Sequence, residues 1–516
     1  MGQLPELPGL DMPLFGGQAA PAWLEKPLSA DWISQLPATA GPPSPWWREI
    51  VRDGVPAPKA PWKAGLIPAG VWLYRGTPSV RDATFVAQIP ADQERLAVVV
   101  AGMGPDPDTF DAMARVLSVL PEDCPRAVRI FLPSIGPVEG RAFAREHQLD
   151  LVAPSGPLRG TGGITYVSGP PEMTSGAFWQ WYRVSPGRAV QSVGALYPTP
   201  TWETALTRHD HLAESLPAVL NRVPAGYAMR PLGAPSSRFA AFAARVPPAA
   251  DRLQVVVDGR GLDPLLLAAC TQLLSALPPE ATHQVQLDWP YAGVRESTEQ
   301  LEELASLLDA PVYAPAAALD FHANGRDLLA VHDDGGLGHW VRFSPTVSPQ
   351  PHGPLSPPPA WGRALRAVLD TTPDDSPLAS APAGLHMRIP SRPDVDRAAA
   401  ALPPDRDGMT VLADGDATCE EDQQRVLSVL ETLPPELLQN LRVVMTFATV
   451  WHRGGPPFGQ LIADRLRRRV LVADAASVVS TECGGAEAQR LGEPSWNRYL
   501  PRPELRASTF TFLGAQ

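Results

Sequence analysis

One stretch recurs three times along this 516-residue chain, and that repetition narrows its fold more than any other feature. The motifs Ile-Pro-Ala-Gly, Val-Pro-Ala-Gly and Ala-Pro-Ala-Gly end at Gly70, Gly226 and Gly384, which lie 156 and 158 residues apart. A Pro-then-Trp signature precedes each, at Trp47, Trp202 and Trp361. Apolar runs follow, "LAVVVAGMG", "LQVVVDGRG" and "MTVLADGDA", with Gly102, Gly259 and Gly415 in step. Each copy closes on Trp-x-Arg-x-x-Pro: Trp181 with Arg183, Trp340 with Arg342, and Trp496 with Arg498. A shared period of this length means units large enough to carry their own cores, unlike short solenoid repeats.

Within each copy the pattern reads strand, helix, strand, helix, strand. Apolar residues recur at three- and four-residue steps in "TFDAMARVLSVLPED", "PLLLAACTQLLSALPPE" and "CEEDQQRVLSVLETLPPE". Asp263 before Pro264 predicts an N-cap with proline in the first turn, and Thr418 with Glu421 fits a capping box. Strand–helix alternation predicts a parallel α/β sheet with right-handed crossovers. The tail "LLAVHDDGGLGHWVRFSP" predicts a hairpin turning at Asp333 to Gly336. The expected architecture is three tandem α/β sandwiches, each a small parallel sheet with a C-terminal β-hairpin, over residues 43–197, 198–356 and 357–516. Residues 1–42, rich in Pro and Gly, read as an extended or disordered tail suited to docking.

The net charge of −12 argues against a broad nucleic-acid or anionic-membrane surface, which needs a basic face. The Arg465 to Arg469 run is read as the solvated end of a helix. Four cysteines without a Cys-x-x-Cys pair predict neither a disulfide framework nor structural zinc. Cys419 is read as a buried thiol at a helix start, His209 and His211 as part of a solvated linker helix, and His332 and His339 as flanking a turn. No signal peptide and no 18-residue apolar stretch is evident, so the expectation is a soluble cytoplasmic protein without metal or cofactor; export without a cleaved signal stays open.

Gly102 and Gly104 raise the question of a dinucleotide loop. The third glycine of that fingerprint is missing, and Asp106 and Asp108 stand where a pyrophosphate would sit. The glycines are read instead as turn formers at a strand end. In parallel sheets, sites form beyond the carboxyl ends of strands. Those ends carry Met103, Arg260 and Asp416 after the first strand, and Ser134, Tyr291 and Thr449 after the second. Three copies of one active site would share a nucleophile and a base; these share neither. The closing tryptophans are read as packing on their own sheets, with the following arginine across the ring or paired with a carboxylate; exposed anchors are the alternative.

The segments "FAREHQLDLVAP", "LASLLDAPVYAP" and "WVRFSP" resemble the caspase-like cysteine protease modules that self-process bacterial toxins and recur in large actinobacterial polymorphic-toxin proteins. The resemblance implies a base at the end of the first strand, where this chain has Met103, Arg260 and Asp416. It implies a cysteine nucleophile after the second strand, and none stands there. It therefore implies three pseudoenzyme modules acting as a scaffold or adaptor for partner proteins in a toxin or specialised-secretion setting. Two other readings remain open. One is a hydrolase in the second copy built from Asp258, Arg260, Asp288, Tyr291 and His339. The other is a nucleotide or small-molecule sensor at the glycine-containing edges.

Overall fold

The computed structural model describes residues 61–501 except 77–85, 101–104, 119–126, 168–177, 184–189, 208–215, 389–398, 449–455, 475–496 and some shorter gaps. The proposed tail, Trp47, Met103, His209, His211, Thr449 and Trp496 lie outside the described residues. The fold is mixed α/β and falls into two compact units, one of residues 1–321 with 325–350 and one of residues 351–516 with 322–324.

The first unit holds two large sheets. The first sheet is built from β1 (Trp62–Ile67), β2 (Gly70–Arg75), β3 (Leu96–Val100), β4 (Ala127–Phe131) and β5 (Asp150–Pro154). Helix α1 (Pro107–Leu117) links β3 to β4, and α2 (Pro137–Glu146) links β4 to β5. The chain then forms β6 (Leu158–Thr161) and β7 (Ile164–Val167), and returns as β8 (Trp179–Tyr182), β9 (Gln191–Ser192) and β10 (Leu196–Tyr197). The order is β1-β2-β3-β4-β5-β8-β9, with β6, β7 and β10 in a separate three-stranded sheet. Both faces are covered. Val71, Val98, Val128, Ile130 and Leu151 pack on Met113 and Val116 of α1 and Phe143 of α2. Trp72, Val99, Phe131 and Val152 pack on Leu158, Val167, Trp179 and Tyr197. Two-sided burial explains why "LAVVV" reads as an unbroken apolar run.

The second sheet follows from α3 (Thr201–Thr207). Its strands are β11 (Ala218–Val223), β12 (Gly226–Pro231), β13 (Leu253–Val257), β14 (Val285–Asp288) and β15 (Val312–Pro315). The intervening helices are α4 (Ser237–Ala243), α5 (Pro264–Ser275), α6 (Pro279–Thr282) and α7 (Thr298–Leu308). Then come β16 (Ala318–Phe321), β17 (Leu328–Val331), β18 (Trp340–Ser344) and β19 (Val347–Pro351). The order is β11-β12-β13-β14-β15-β18-β19. Asp263 caps α5 by accepting from the N–H groups of Leu265 and Leu266, with Pro264 in the first turn. Tyr166 on β7 and Leu196 on β10 join Trp202, Leu253 and Leu273 in one buried cluster, so the small three-stranded sheet shares core with the second large sheet.

The second unit begins with β20 (Leu355–Ser356) and α8 (Ala360–Asp370). It continues through β21 (Leu378–Ala381), β22 (Gly384–Met387), β23 (Thr410–Asp416), α9 (Glu420–Thr432), β24 (Arg442–Thr446), α10 (Phe458–Leu466), β25 (Val470–Asp474) and β26 (Asn497–Tyr499). Its sheet runs β21-β22-β23-β24-β25-β26.

Several details differ from the sequence expectation. The sheets are mixed rather than parallel: four parallel strands are flanked by an antiparallel strand on each side, as β11 lies against β12 and β18 against β15. The chain does reverse at Asp333 to Gly336, where Val331 bridges Leu337 antiparallel, but beyond that bridge the strands diverge. β17 pairs with β16, while β18 leaves to join β15. The C-terminal neighbours are instead β18 and β19, as β8 and β9 are in the first sheet. Thr418 is not the cap of α9; Cys419 holds that position without a side-chain cap bond, and its thiol is exposed rather than buried.

The glycine of the recurrent motif opens the second strand of an antiparallel pair. Gly70, Gly226 and Gly384 open β2, β12 and β22 at φ 157°, 137° and 144°, in the region that favours glycine. A Cβ on Gly70 or Gly226 would overlap the carbonyl oxygen of Ala97 or Gln254 on the next strand.

Candidate functional site

The C-terminal edge of β13 and β14 brings together three side chains from distant positions. Arg260 follows β13, Tyr291 follows β14, and Asp333 sits in the turn after β17. The Tyr291 hydroxyl donates to Asp333 Oδ1 at 2.6 Å, and Arg260 pairs with Asp333 Oδ2. The Arg260 guanidinium lies 4.4 Å from the centre of the Tyr291 ring. Arg260 and Asp333 are both about two-thirds exposed, at 66% and 63%.

The local backbone sets this arrangement. Tyr291 has φ 60°, a left-handed conformation that costs a bulky residue energy and recurs at functional positions. Its N–H donates to Ala317 O at 2.9 Å, and Gly261 N–H donates to Pro290 O at 2.8 Å, tying the loops after β13, β14 and β15 together. Ser134, after β4, has the same φ of 60°, and its N–H donates to Gly156 O at 3.2 Å.

The electrostatics suit binding better than proton transfer. Asp333 is held below the usual carboxylate range, first by the Tyr291 hydroxyl and then by Arg260. Tyr291 is raised, first by its bond to Asp333. Both shifts lead away from neutrality, whereas a general acid or base is tuned toward it.

The other members of the second-copy group do not join this cluster in the same way. Asp288 is fully buried on β14, where it accepts from Gln286 Nε2 at 2.7 Å and Gln254 Nε2 at 3.1 Å. Burial pushes its carboxyl up to about 7 against those bonds. Asp258 is half-buried and raised by burial, with Arg230 opposing. His339 gives its carbonyl to the N–H of Ala316.

Gln286 occupies a register position filled differently elsewhere. It pairs with Gln254, which pairs with Gly226; Arg129 likewise pairs with Ala97 and that with Gly70; Arg442 pairs with Thr410 and that with Gly384. Arg129 is buried between the rings of Tyr197, at 3.9 Å, and Trp179, at 5.1 Å, with Asp92 at 3.6 Å. Burial lowers it to about 10. Arg442 pairs with Asp405. Asp92 and Asp405 each stand five residues before the strand partner of their arginine, where the second sheet has Ala249.

In the second unit Asp416 ends β23, opposite Thr446: its Oδ1 accepts from Thr418 N–H and its N–H donates to Asp422. The sequence reading missed a buried pair beside it. His386 Nε2 on β22 lies 2.9 Å from Asp414 Oδ1 on β23. A histidine on the motif strand and an aspartate two residues before Asp416 were the available signal.

Trp340 is fully buried opposite Pro315, and Arg342 reaches Gln350 at 3.3 Å. Trp181 is half-buried with Arg183 across its ring at 3.8 Å, and Arg183 reaches Gln191 at 3.4 Å. The position opposite Pro154 belongs to Trp179, which is fully buried. Arg498 lies on β26, paired with Leu471. Among the described residues no three His, Cys, Asp or Glu side chains group to hold a metal, and no helix is long and apolar enough to cross a membrane.

Comparison with known proteins found no matching family model, no matching curated protein and no matching solved structure.

Proposed function

We propose that the chain is a non-catalytic scaffold or adaptor of three degenerate caspase-like modules that binds partner proteins, in keeping with a toxin or specialised-secretion setting. The observation that carries this reading is the Arg260–Asp333–Tyr291 cluster. It stands where the resemblance would place a base and a nucleophile, and its groups are mutually paired and tuned away from neutral-pH proton transfer.

Three kinds of agreement support the three-module reading. The sheets share one strand order as far as the shorter third sheet extends. The motif glycines open equivalent strands. Trp202 and Trp361 each send the indole N–H to a carbonyl ahead of the third strand of the sheet, β13 or β23, at Ala249 and Asp405. A frame kept in common with edges that differ suits surfaces for different partners.

The test is exposure of the purified full chain to a proteome-derived peptide library, with new termini read by mass spectrometry. In parallel, partners crosslinked in the producing cells are rebuilt from purified components. The expected result is no specific cleavage and at least one complex of defined stoichiometry. Sequence-specific hydrolysis lost in Arg260→Ala or Tyr291→Phe overturns the proposal.

A further inference from the structure

We infer that Arg260 and Tyr291 form a recognition site for a carboxylate of an acidic partner peptide, and that Asp333 occupies it as an intramolecular stand-in. The inference rests on the scaffold reading and names the partner chemistry of that same site.

The Asp333 carboxylate makes one bond through each oxygen, to the Tyr291 hydroxyl and to the Arg260 guanidinium. That is how a protein holds a ligand's carboxylate: a charge-assisted donor fixes one oxygen and a neutral donor the other. The two donors are organised without Asp333. The guanidinium stacks on the Tyr291 ring at 4.4 Å, and Tyr291 is fixed in its left-handed conformation by the bond from its N–H to Ala317 O. Gly261, next to Arg260, has φ 72° and open space where a Cβ would be, so the edge is uncrowded.

Asp333 arrives from a turn with its own closure. His332 N–H donates to Gly336 O at 2.7 Å, and Gly335 N–H donates to His332 O at 2.9 Å. The turn therefore keeps its shape when the carboxylate lets go. Exposed ion pairs contribute little net stability, so exchange for a partner's carboxylate costs little. One cationic arginine donor and one tyrosine hydroxyl at an open edge, with an acid already seated on them, match an acidic peptide.

Fluorescence anisotropy with a labelled octaglutamate probe and the full chain tests the site. Asp333→Ala is expected to bind the probe about threefold to fivefold tighter than wild type, and adding Arg260→Ala or Tyr291→Phe is expected to remove most of that gain. Glu296→Ala makes the same charge change five residues after Tyr291 and outside the turn, and is expected to give no gain. Far-ultraviolet circular dichroism confirms folding of every variant. No gain in Asp333→Ala, an equal gain in Glu296→Ala, or a gain that survives loss of Arg260 overturns the site. A labelled phosphoserine peptide separates carboxylate from phosphate recognition; preference for the phosphopeptide overturns the carboxylate assignment. These failures leave the scaffold reading standing, because it falls on peptide hydrolysis and not on this probe.

Discussion

The indole N–H of Trp202 donates to the backbone carbonyl of Ala249 across 3.1 Å, and both residues are buried. Ala249 lies four residues before β13, so the bond ties α3 to the approach of that strand. Trp202→Phe keeps most of the apolar volume and deletes the donor. An unsatisfied buried carbonyl costs about 1–3 kcal/mol, and the smaller ring adds a cavity cost. The expected result is a urea midpoint lowered by a corresponding amount with an unchanged slope. Retention of wild-type stability would assign the conserved spacing of this tryptophan to something other than the bond.

Arg129 is a buried cation whose ionic partner, Asp92, is itself largely enclosed. Removing one member of such a pair leaves the other charge uncompensated, at about 3–5 kcal/mol. Arg129→Met is therefore expected to be strongly destabilising. Arg129→Met with Asp92→Ala is expected to recover much of that loss. The second sheet already carries a neutral combination, Gln286 with Ala249. Equilibrium unfolding of the two single variants and the double gives the coupling directly. Additive losses would show that Asp92 is not the partner that matters.

The α/β character was legible because its signals are local. Runs such as "LQVVV" mark two-sided strands, and Asp263–Pro264 marks a helix start. What was not legible depends on partners far along the chain. The turn at Asp333 to Gly336 looks like a hairpin locally, yet β17 and β18 take partners in different sheets. The match of Trp181 to Trp340 by motif is two residues off the strand register, which sets Trp179 opposite Pro154. A shift of two leaves every side chain on the same face, so alternation alone gives no warning. Of the candidate site, Arg260 and Tyr291 were visible as edge residues, but Asp333 was read as turn chemistry. The pair His386–Asp414 joins two strands whose pairing no local pattern reveals.

Asp288 makes stability pH-dependent. Its carboxyl titrates near 7 when folded, against about 3.9 in an unfolded chain. The folded state thus keeps a proton that the unfolded state releases. Its contribution is fully present below about pH 4 and is lost as pH rises toward 7, by up to about 1.4 kcal/mol per pH unit. Buried Glu203, also raised to about 7, adds a slope of the same sign. Asp288→Asn cannot titrate, so it is expected to unfold at a higher temperature than wild type at pH 8 and to approach or fall below it at pH 4. Parallel melting curves across that range would exclude Asp288 as a source of the slope.

Gly226, which opens β12, and Gly233, in the turn after it, separate conformational strain from steric overlap. Gly226 has φ 137° and meets the Gln254 backbone and the Leu253 side chain where a Cβ would go. Gly233 has φ 80° and nothing within 4 Å. Gly233→Ala is expected to cost only the left-handed conformation, about 1–2 kcal/mol. Gly226→Ala adds overlap with a strand carbonyl that cannot move without breaking the β12–β13 pairing, so its loss is expected to exceed that of Gly233→Ala by at least about 2 kcal/mol. Chemical denaturation of both variants checks the difference. Equal losses would mean that the Pro-Ala-Gly motif recurs for its φ alone and that the close strand approach yields to a side chain.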